Sequence, residues 1–213
     1  MKKQFIKQGR SDTLLLIFTG WASDERFFHP SPDTNEDICL CSDYRTLEWD
    51  DAPFRSYREV RVMAWSLGVF AANSVLRHST LPIVQAVAVN GTIYPAHNER
   101  GIPVAVYEGT EKMLTERNLL KFYRRMCGSE ALYEEVKQYT PTLSISELQE
   151  ALRTIRAAQE NRSPDGEKTI FTKVIIGLSD RIFPTENQQR AWDGHPNVTF
   201  KNIAHYDREI WKR

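Results

Sequence analysis

The sequence predicts an α/β fold built on a mostly parallel central sheet flanked by helices, and three observations carry that expectation. Residues 13–19 (TLLLIFT) form an unbroken apolar run ending at Gly20, the pattern of a strand buried on both faces. Runs of the same kind recur at residues 37–44, 60–65, 83–90 and 171–177. Between the third and fourth runs, residues 67–77 carry Val69, Phe70, Ala72 and Leu76 as a short helix would, and strand, helix, strand is a βαβ unit.

The remaining elements follow in order. Residues 197–203 (NVTFKNI) alternate more than the other runs and are expected at a sheet edge. Residues 109–161 are charged and helical in pattern, broken at Cys127-Gly128-Ser129 and at residues 140–144, and predict an insertion of two or three helices. In its first helix Leu119, Phe122, Tyr123 and Met126 share a face, while Arg117, Lys121, Arg124 and Arg125 make the other side cationic. In its last, Ser144 and Glu147 fit a capping box ahead of the Leu148, Leu152, Ile155 stripe. Residues 161–168 (NRSPDGEK) read as a polar turn back to the sheet. One domain over residues 1–213, with 109–161 inserted in it, is the expected organisation.

Charge and composition narrow the function. Lys plus Arg and Asp plus Glu both number 28 in 213 residues, so no domain-wide basic field exists for nucleic acid. No run approaches the roughly 18 apolar residues of a membrane helix, and the first residues lack a secretory h-region, so a soluble cytoplasmic protein is expected. Three cysteines, with Cys39 and Cys41 two apart, lack zinc or redox spacing and are read as reduced thiols packed in a core. No HExxH, P-loop, dinucleotide fingerprint or Cys/His cluster occurs, so neither metal nor nucleotide cofactor is indicated.

The chemistry concentrates at Ala64-Trp65-Ser66-Leu67-Gly68, where a buried strand meets a helix. A serine on that sharp turn lifts its hydroxyl above the strand ends, the G-x-S-x-G nucleophile elbow with Ala64 as first residue; helix N-capping is the plainer reading of Ser66. A nucleophile needs a base and an acid, which follow it in the order acid, then His. Beyond the insertion only His195 and His205 remain, and His205 falls at the C-terminal end of the last strand, where open sheets place their sites. Asp180, in Gly177-Leu178-Ser179-Asp180 directly after a buried strand, is the acid; Asp165, Asp193 and Asp207 lack that context. A developing oxyanion would find the Leu67 amide and, from the turn at Gly20-Trp21, the Trp21 amide, with the indole walling the acyl site unless it is simply core. His29, His78 and His97 have no motif around them.

With FTGW, AWSLG, GLSDRIFP and AHYD in place, the chain resembles the α/β-hydrolase superfamily over essentially its whole length. The Gly-Trp turn in so compact a body is most similar to the BioG-type pimeloyl-acyl-carrier-protein methyl ester esterases of biotin synthesis. The resemblance implies a cytoplasmic serine carboxylesterase that unmasks a carrier-bound pimeloyl chain and releases methanol, with Ser66 as nucleophile, His205 as base, Asp180 as acid, and the Trp21 and Leu67 amides as oxyanion donors. It also implies that the insertion is a lid, and that Arg117, Lys121, Arg124 and Arg125 can grip the acidic carrier and its phosphopantetheine, against the alternative of a solvated helix face. The departures are Ala64 and Ala204-His205-Tyr206-Asp207, where many relatives carry Gly before the histidine and Pro-Phe after it. A thioesterase or short-chain carboxylesterase of the same fold is the alternative, since either forms the same acyl-enzyme. A binding module that had lost catalysis would lack a triad member, and none is missing.

Overall fold

The computed structural model describes residues 1–28, 34–139, 142–162 and 168–211. Among these, seven strands form one sheet: β1 (Lys2–Lys7), β2 (Thr13–Phe18), β3 (Asp37–Ser42), β4 (Glu59–Trp65), β5 (Ile83–Val89), β6 (Lys173–Ser179) and β7 (Val198–Ala204). Their order is β1-β3-β2-β4-β5-β6-β7, with β1 antiparallel to β3 and every other pair parallel. The helices are α1 (Leu67–Leu76), α2 (Val104–Lys112), α3 (Glu116–Cys127), α4 (Glu130–Val136), α5 (Ile145–Glu160) and α6 (Thr185–Ala191).

The all-apolar runs become the inner strands because both sheet faces there are covered. Leu14, Leu16, Ile17 and Phe18 on β2 and Ile38, Cys39 and Cys41 on β3 have essentially no exposed surface. At about 25 cal/mol per Å2 of apolar surface, each such side chain gains roughly 2 kcal/mol on burial. The alternating run 197–203 is β7, at the sheet edge, as expected.

Two elements depart from the sequence expectation. Strand β1 went unread because its three lysines and Gln4 mask any apolar run, and an edge strand with half-buried side chains needs none. The region between β5 and β6 holds four helices, not two or three, and begins at Val104 instead of Gly109. Val104 and Val106 give α2 a strand-like start, yet Pro103 at the cap position and the buried Tyr107 and Glu111 commit it to a helix. The capping box at Ser144 and Glu147 is formed.

The chain runs from β2 outward to β3, then crosses to β4 on the other side of β2. The crevice beyond the carboxyl ends of β2 and β4 is therefore the topological switch point, where open α/β sheets bind ligands. Both the turn at Gly20-Trp21 and Ser66 lie there, directly after Phe18 and Trp65. No helix among the described residues is long and apolar enough to cross a membrane.

Candidate active site

Ser66 stands between β4 and α1 with φ 59° and ψ −131°, a conformation that a non-glycine residue rarely adopts. Close packing holds it there. A Cβ on Gly68 would lie 2.4 Å from the Phe18 carbonyl oxygen, and one on Gly91 would lie 2.3 Å from the Ser66 carbonyl oxygen. The Ser66 amide donates to the Val89 carbonyl at 3.0 Å, tying the turn to β5. Its side chain makes no capping hydrogen bond. The hydroxyl lies 2.9 Å from His205 Nε2 instead, so the helix-cap reading of this serine does not hold.

His205 Nδ1 lies 2.9 Å from Asp180 Oδ2, 25 residues earlier in the chain. An ionised carboxylate only accepts, so Nδ1 carries the ring proton and Nε2 is free to accept from the serine. The ring stacks on Phe183 at 11° between planes, and Trp65 packs against it with centroids 5.5 Å apart. Ser66, Asp180 and His205 are 4%, 7% and 1% exposed, so all three are almost wholly withdrawn from solvent.

Asp180 is fixed on all sides. Its Oδ1 accepts the Ile182 and Phe183 amides at 2.8 and 3.0 Å, and its Oδ2 accepts Gln188 Nε2 at 2.9 Å beside the histidine. His205 is fixed through its backbone: its carbonyl accepts Trp65 Nε1 at 2.8 Å and Asn90 Nδ2 at 2.9 Å. Neither Gln188 nor Asn90 belongs to a motif, and nothing in the sequence separates them from ordinary polar residues.

Gly20 brings the second loop against the elbow, since a Cβ there would sit 2.8 Å from the Trp65 ring and 3.2 Å from Ser66 Cβ. Trp21 is 5% exposed; its indole N–H donates to the Leu148 carbonyl of α5, and its ring meets Phe122 of α3 edge-on. The Trp21 amide donates to no group among the described residues, and the Leu67 amide opens α1, whose first N–H groups have no intrahelical partner. Both stay available to an anion. Trp21, Ser66 and Leu67 line a pocket closed by Ile102, Tyr107, Leu152 and Ile182.

The four cationic side chains of α3 do not act as one face. Lys121 and Arg125 line a groove between α2 and α3 that shares Val106, Thr110, Phe122 and Arg125 with the pocket over Ser66. Arg125 also donates to the Arg181 carbonyl, next to Asp180. Arg124 turns away to pair with Glu130 at 2.7 Å over the Tyr133 ring, and Arg117 is exposed and lines neither cavity.

The other candidates have structural contacts. His195 Nε2 lies 3.1 Å from the Phe171 carbonyl, His97 caps its own turn, His78 is exposed, and His29 and Asp165 lie outside the described residues. The three thiols are free and buried. Burial pushes the Cys127 thiol up to about 12 and Cys41 well above its ordinary range, which favours the neutral thiol at both, whereas the hydrogen bond with Cys41 draws Cys39 down.

A family model described as pimeloyl-ACP methyl esterase BioG matches residues 1–210. The chain belongs to the BioG family. BioG proteins being methyl esterases, it sits in a family of carboxylic ester hydrolases. It is 41% identical over 199 residues to a malonyl-[acyl-carrier protein] O-methyltransferase of Bacteroides fragilis, covering 93% of this chain but only 40% of that protein. An uncharacterized protein of Haemophilus influenzae is 34% identical over 194 residues, covering 90% of this chain and 87% of its relative. The crystal structure of BioG from Haemophilus influenzae superposes with a TM-score of 0.83 at 31% identity, covering 98% and 95% of the two chains. MenH from S. aureus, 12% identical with a TM-score of 0.63 over 99% and 92%, shares the fold. This BioG chain thus has the α/β-hydrolase fold that its sequence predicted.

Proposed function

We propose that the protein hydrolyses the methyl ester of a pimeloyl chain held on acyl-carrier protein, in biotin synthesis. The observation that carries the reading is the unbroken chain from Ser66 Oγ to His205 Nε2 and from Nδ1 to Asp180, buried under an apolar pocket. Membership of the family supports the substrate. So does the Bacteroides relative, whose name describes methylation on an acyl-carrier protein, the step that installs such an ester.

In this reading Ser66 Oγ attacks the ester carbonyl carbon while its proton passes to His205 Nε2. The carbonyl oxygen becomes an oxyanion and accepts from the Trp21 and Leu67 amides. The intermediate collapses, Nε2 returns the proton to the methoxy oxygen, and methanol leaves. Water then attacks the acyl-serine, giving its proton to Nε2, which passes it to Ser66 Oγ as the acid is released. Asp180 stays ionised, steadying the imidazolium. No metal or nucleotide cofactor enters this sequence.

Helices α2–α5 serve as the lid within one domain spanning residues 1–213. The aliphatic chain follows the apolar pocket outward, and Lys121 and Arg125 in the adjoining groove meet the phosphodiester and the acidic carrier. Arg117 and Arg124 have the weaker claim, because one lines neither cavity and the other is spent on Glu130. Buried, free thiols fit a reducing compartment, and we assign the activity to the cytoplasm.

The test compares pimeloyl-carrier methyl ester, free methyl pimelate and a pimeloyl thioester with wild type and Ser66→Ala. Cleavage of the carrier-bound methyl ester that needs Ser66 is expected. Preference for the thioester, or activity retained in Ser66→Ala, would refute the substrate or the mechanism respectively.

A further inference from the structure

We infer that Gln188 is a positioning residue for the base: its amide shares Asp180 Oδ2 with His205 and so sets how strongly the carboxylate holds the imidazolium. The inference rests on the roles proposed for Ser66, His205 and Asp180.

Gln188 stands on α6 with no exposed surface. Its Nε2 donates to Asp180 Oδ2 at 2.9 Å and to the Phe183 carbonyl at 2.8 Å. Both partners are acceptors, so the amide can be oriented only with nitrogen toward them. Its Oε1, among the described residues, has no hydrogen-bond partner. A buried amide oxygen left in that state is costly, and an apolar side chain of equal length would avoid the cost. The residue's benefit therefore lies in its N–H groups, one of which is aimed at the acid.

Four donors now surround one carboxylate: two backbone amides on Oδ1, and Gln188 beside His205 on Oδ2. The amides and Gln188 stabilise the anion and stop its rotation, so Oδ2 faces Nδ1 in one geometry. Because Gln188 draws on the same oxygen as His205, it also weakens the pull that keeps the imidazole protonated. Phe183 completes the device, since its carbonyl orients Gln188 while its ring stacks on His205.

The test uses the full chain and a short p-nitrophenyl ester, so that carrier recognition plays no part. The kcat/KM profile against pH is compared for wild type, Gln188→Met, which keeps length but loses both N–H groups, and Gln188→Glu. In Gln188→Met, kcat falls roughly tenfold through loss of one charge-assisted hydrogen bond, and the acid limb moves to higher pH as Oδ2 binds the imidazolium alone. In Gln188→Glu the new carboxyl beside buried Asp180 shares one proton with it and donates to Oδ2 in place of the amide, so the limb stays close to that of wild type. Should Gln188→Met not fold, Gln188→Leu removes the same N–H groups and carries the same test. An unmoved acid limb in folded Gln188→Met or Gln188→Leu overturns the inference, whether or not kcat falls, and assigns Gln188 to packing. Turnover by Ser66→Ala in the same assay would instead strike the underlying triad reading, so the two failures are told apart.

Discussion

Asn90 Nδ2 donates to the carbonyl of His205 across 115 residues of chain, and the same side chain accepts the Gly177 amide through Oδ1 at 2.7 Å. One amide thus fastens the end of β5 to the ends of β6 and β7, the strands that deliver Asp180 and His205. Asn90 has φ 47°, a left-handed conformation that Asn tolerates better than most residues. Replacement by Gly keeps that conformation and removes the bonds, whereas Ala removes both. Asn90→Gly should lose about 1–3 kcal/mol of stability and roughly tenfold in kcat, with Asn90→Ala lower still in stability. Thermal unfolding and steady-state kinetics of the pair check this; equal stability would show that the backbone conformation carries no strain.

The elbow glycines predict a sharp contrast. On Gly68 a Cβ would meet the Phe18 and Thr19 carbonyl oxygens at 2.4 and 2.5 Å, backbone atoms that cannot step aside. Gly68→Ala should cost about 3 kcal/mol or more and abolish turnover. Ala64 is fully buried in β4, so Ala64→Gly should leave kcat nearly unchanged and cost about 1 kcal/mol from strand entropy and a lost methyl. Denaturant midpoints for the two variants give the comparison, and a gain in activity from Ala64→Gly would mean that the alanine constrains the site.

That Ser66, Asp180 and His205 come together was legible because each follows a strand run in the order the fold demands, so topology and motif agree. The placement of Trp21 and Leu67 beside Ser66 was legible for the same reason. Asn90 and Gln188 were not, since an Asn after a strand and a Gln in a short helix are unremarkable until tertiary packing brings them within 3 Å of His205 and Asp180. The charged face of α3 misled in another way. Helical spacing groups Arg117, Lys121, Arg124 and Arg125, but Glu130 and Tyr133 of the neighbouring α4 claim Arg124, a contact that periodicity within one helix cannot see.

An ion-pair cluster joins the loop after β3 to α5. Arg45 donates to Asp43 Oδ1 and Oδ2 and, at 2.7 Å, to Glu147 of the α5 capping box. The Arg45 hydrogen bond holds the Asp43 carboxyl below its ordinary 3.8, and Ser144 holds Glu147 below its ordinary value. Carboxyls depressed in the folded state stabilise it above their unfolded values and lose that contribution as pH falls through the folded ones. Arg45→Met should therefore lower the melting temperature at pH 7, with the gap to wild type closing as pH drops below about 4. A gap independent of pH would mean that the arginine acts through packing alone.

The division of the α3 cations makes the proposed carrier contact separable from the proposed chemistry. Lys121 and Arg125 line the groove that continues from the Ser66 pocket, yet neither touches Ser66, His205 or the Asp180 side chain in a hydrogen bond. Lys121→Glu should raise KM for the carrier-bound ester roughly tenfold, through loss of attraction and added repulsion, while kcat/KM on free methyl pimelate stays nearly unchanged. Arg125→Glu should do the same but also lower kcat, because it releases the Arg181 carbonyl beside the acid. Arg117→Glu, farther from the groove, should have the smallest effect. Raised salt should weaken wild-type carrier turnover and leave the Lys121→Glu enzyme less sensitive, since screening acts on the charge already removed. An equal loss on both substrates for Lys121→Glu would place that residue in the packing of α3 and not in carrier recognition.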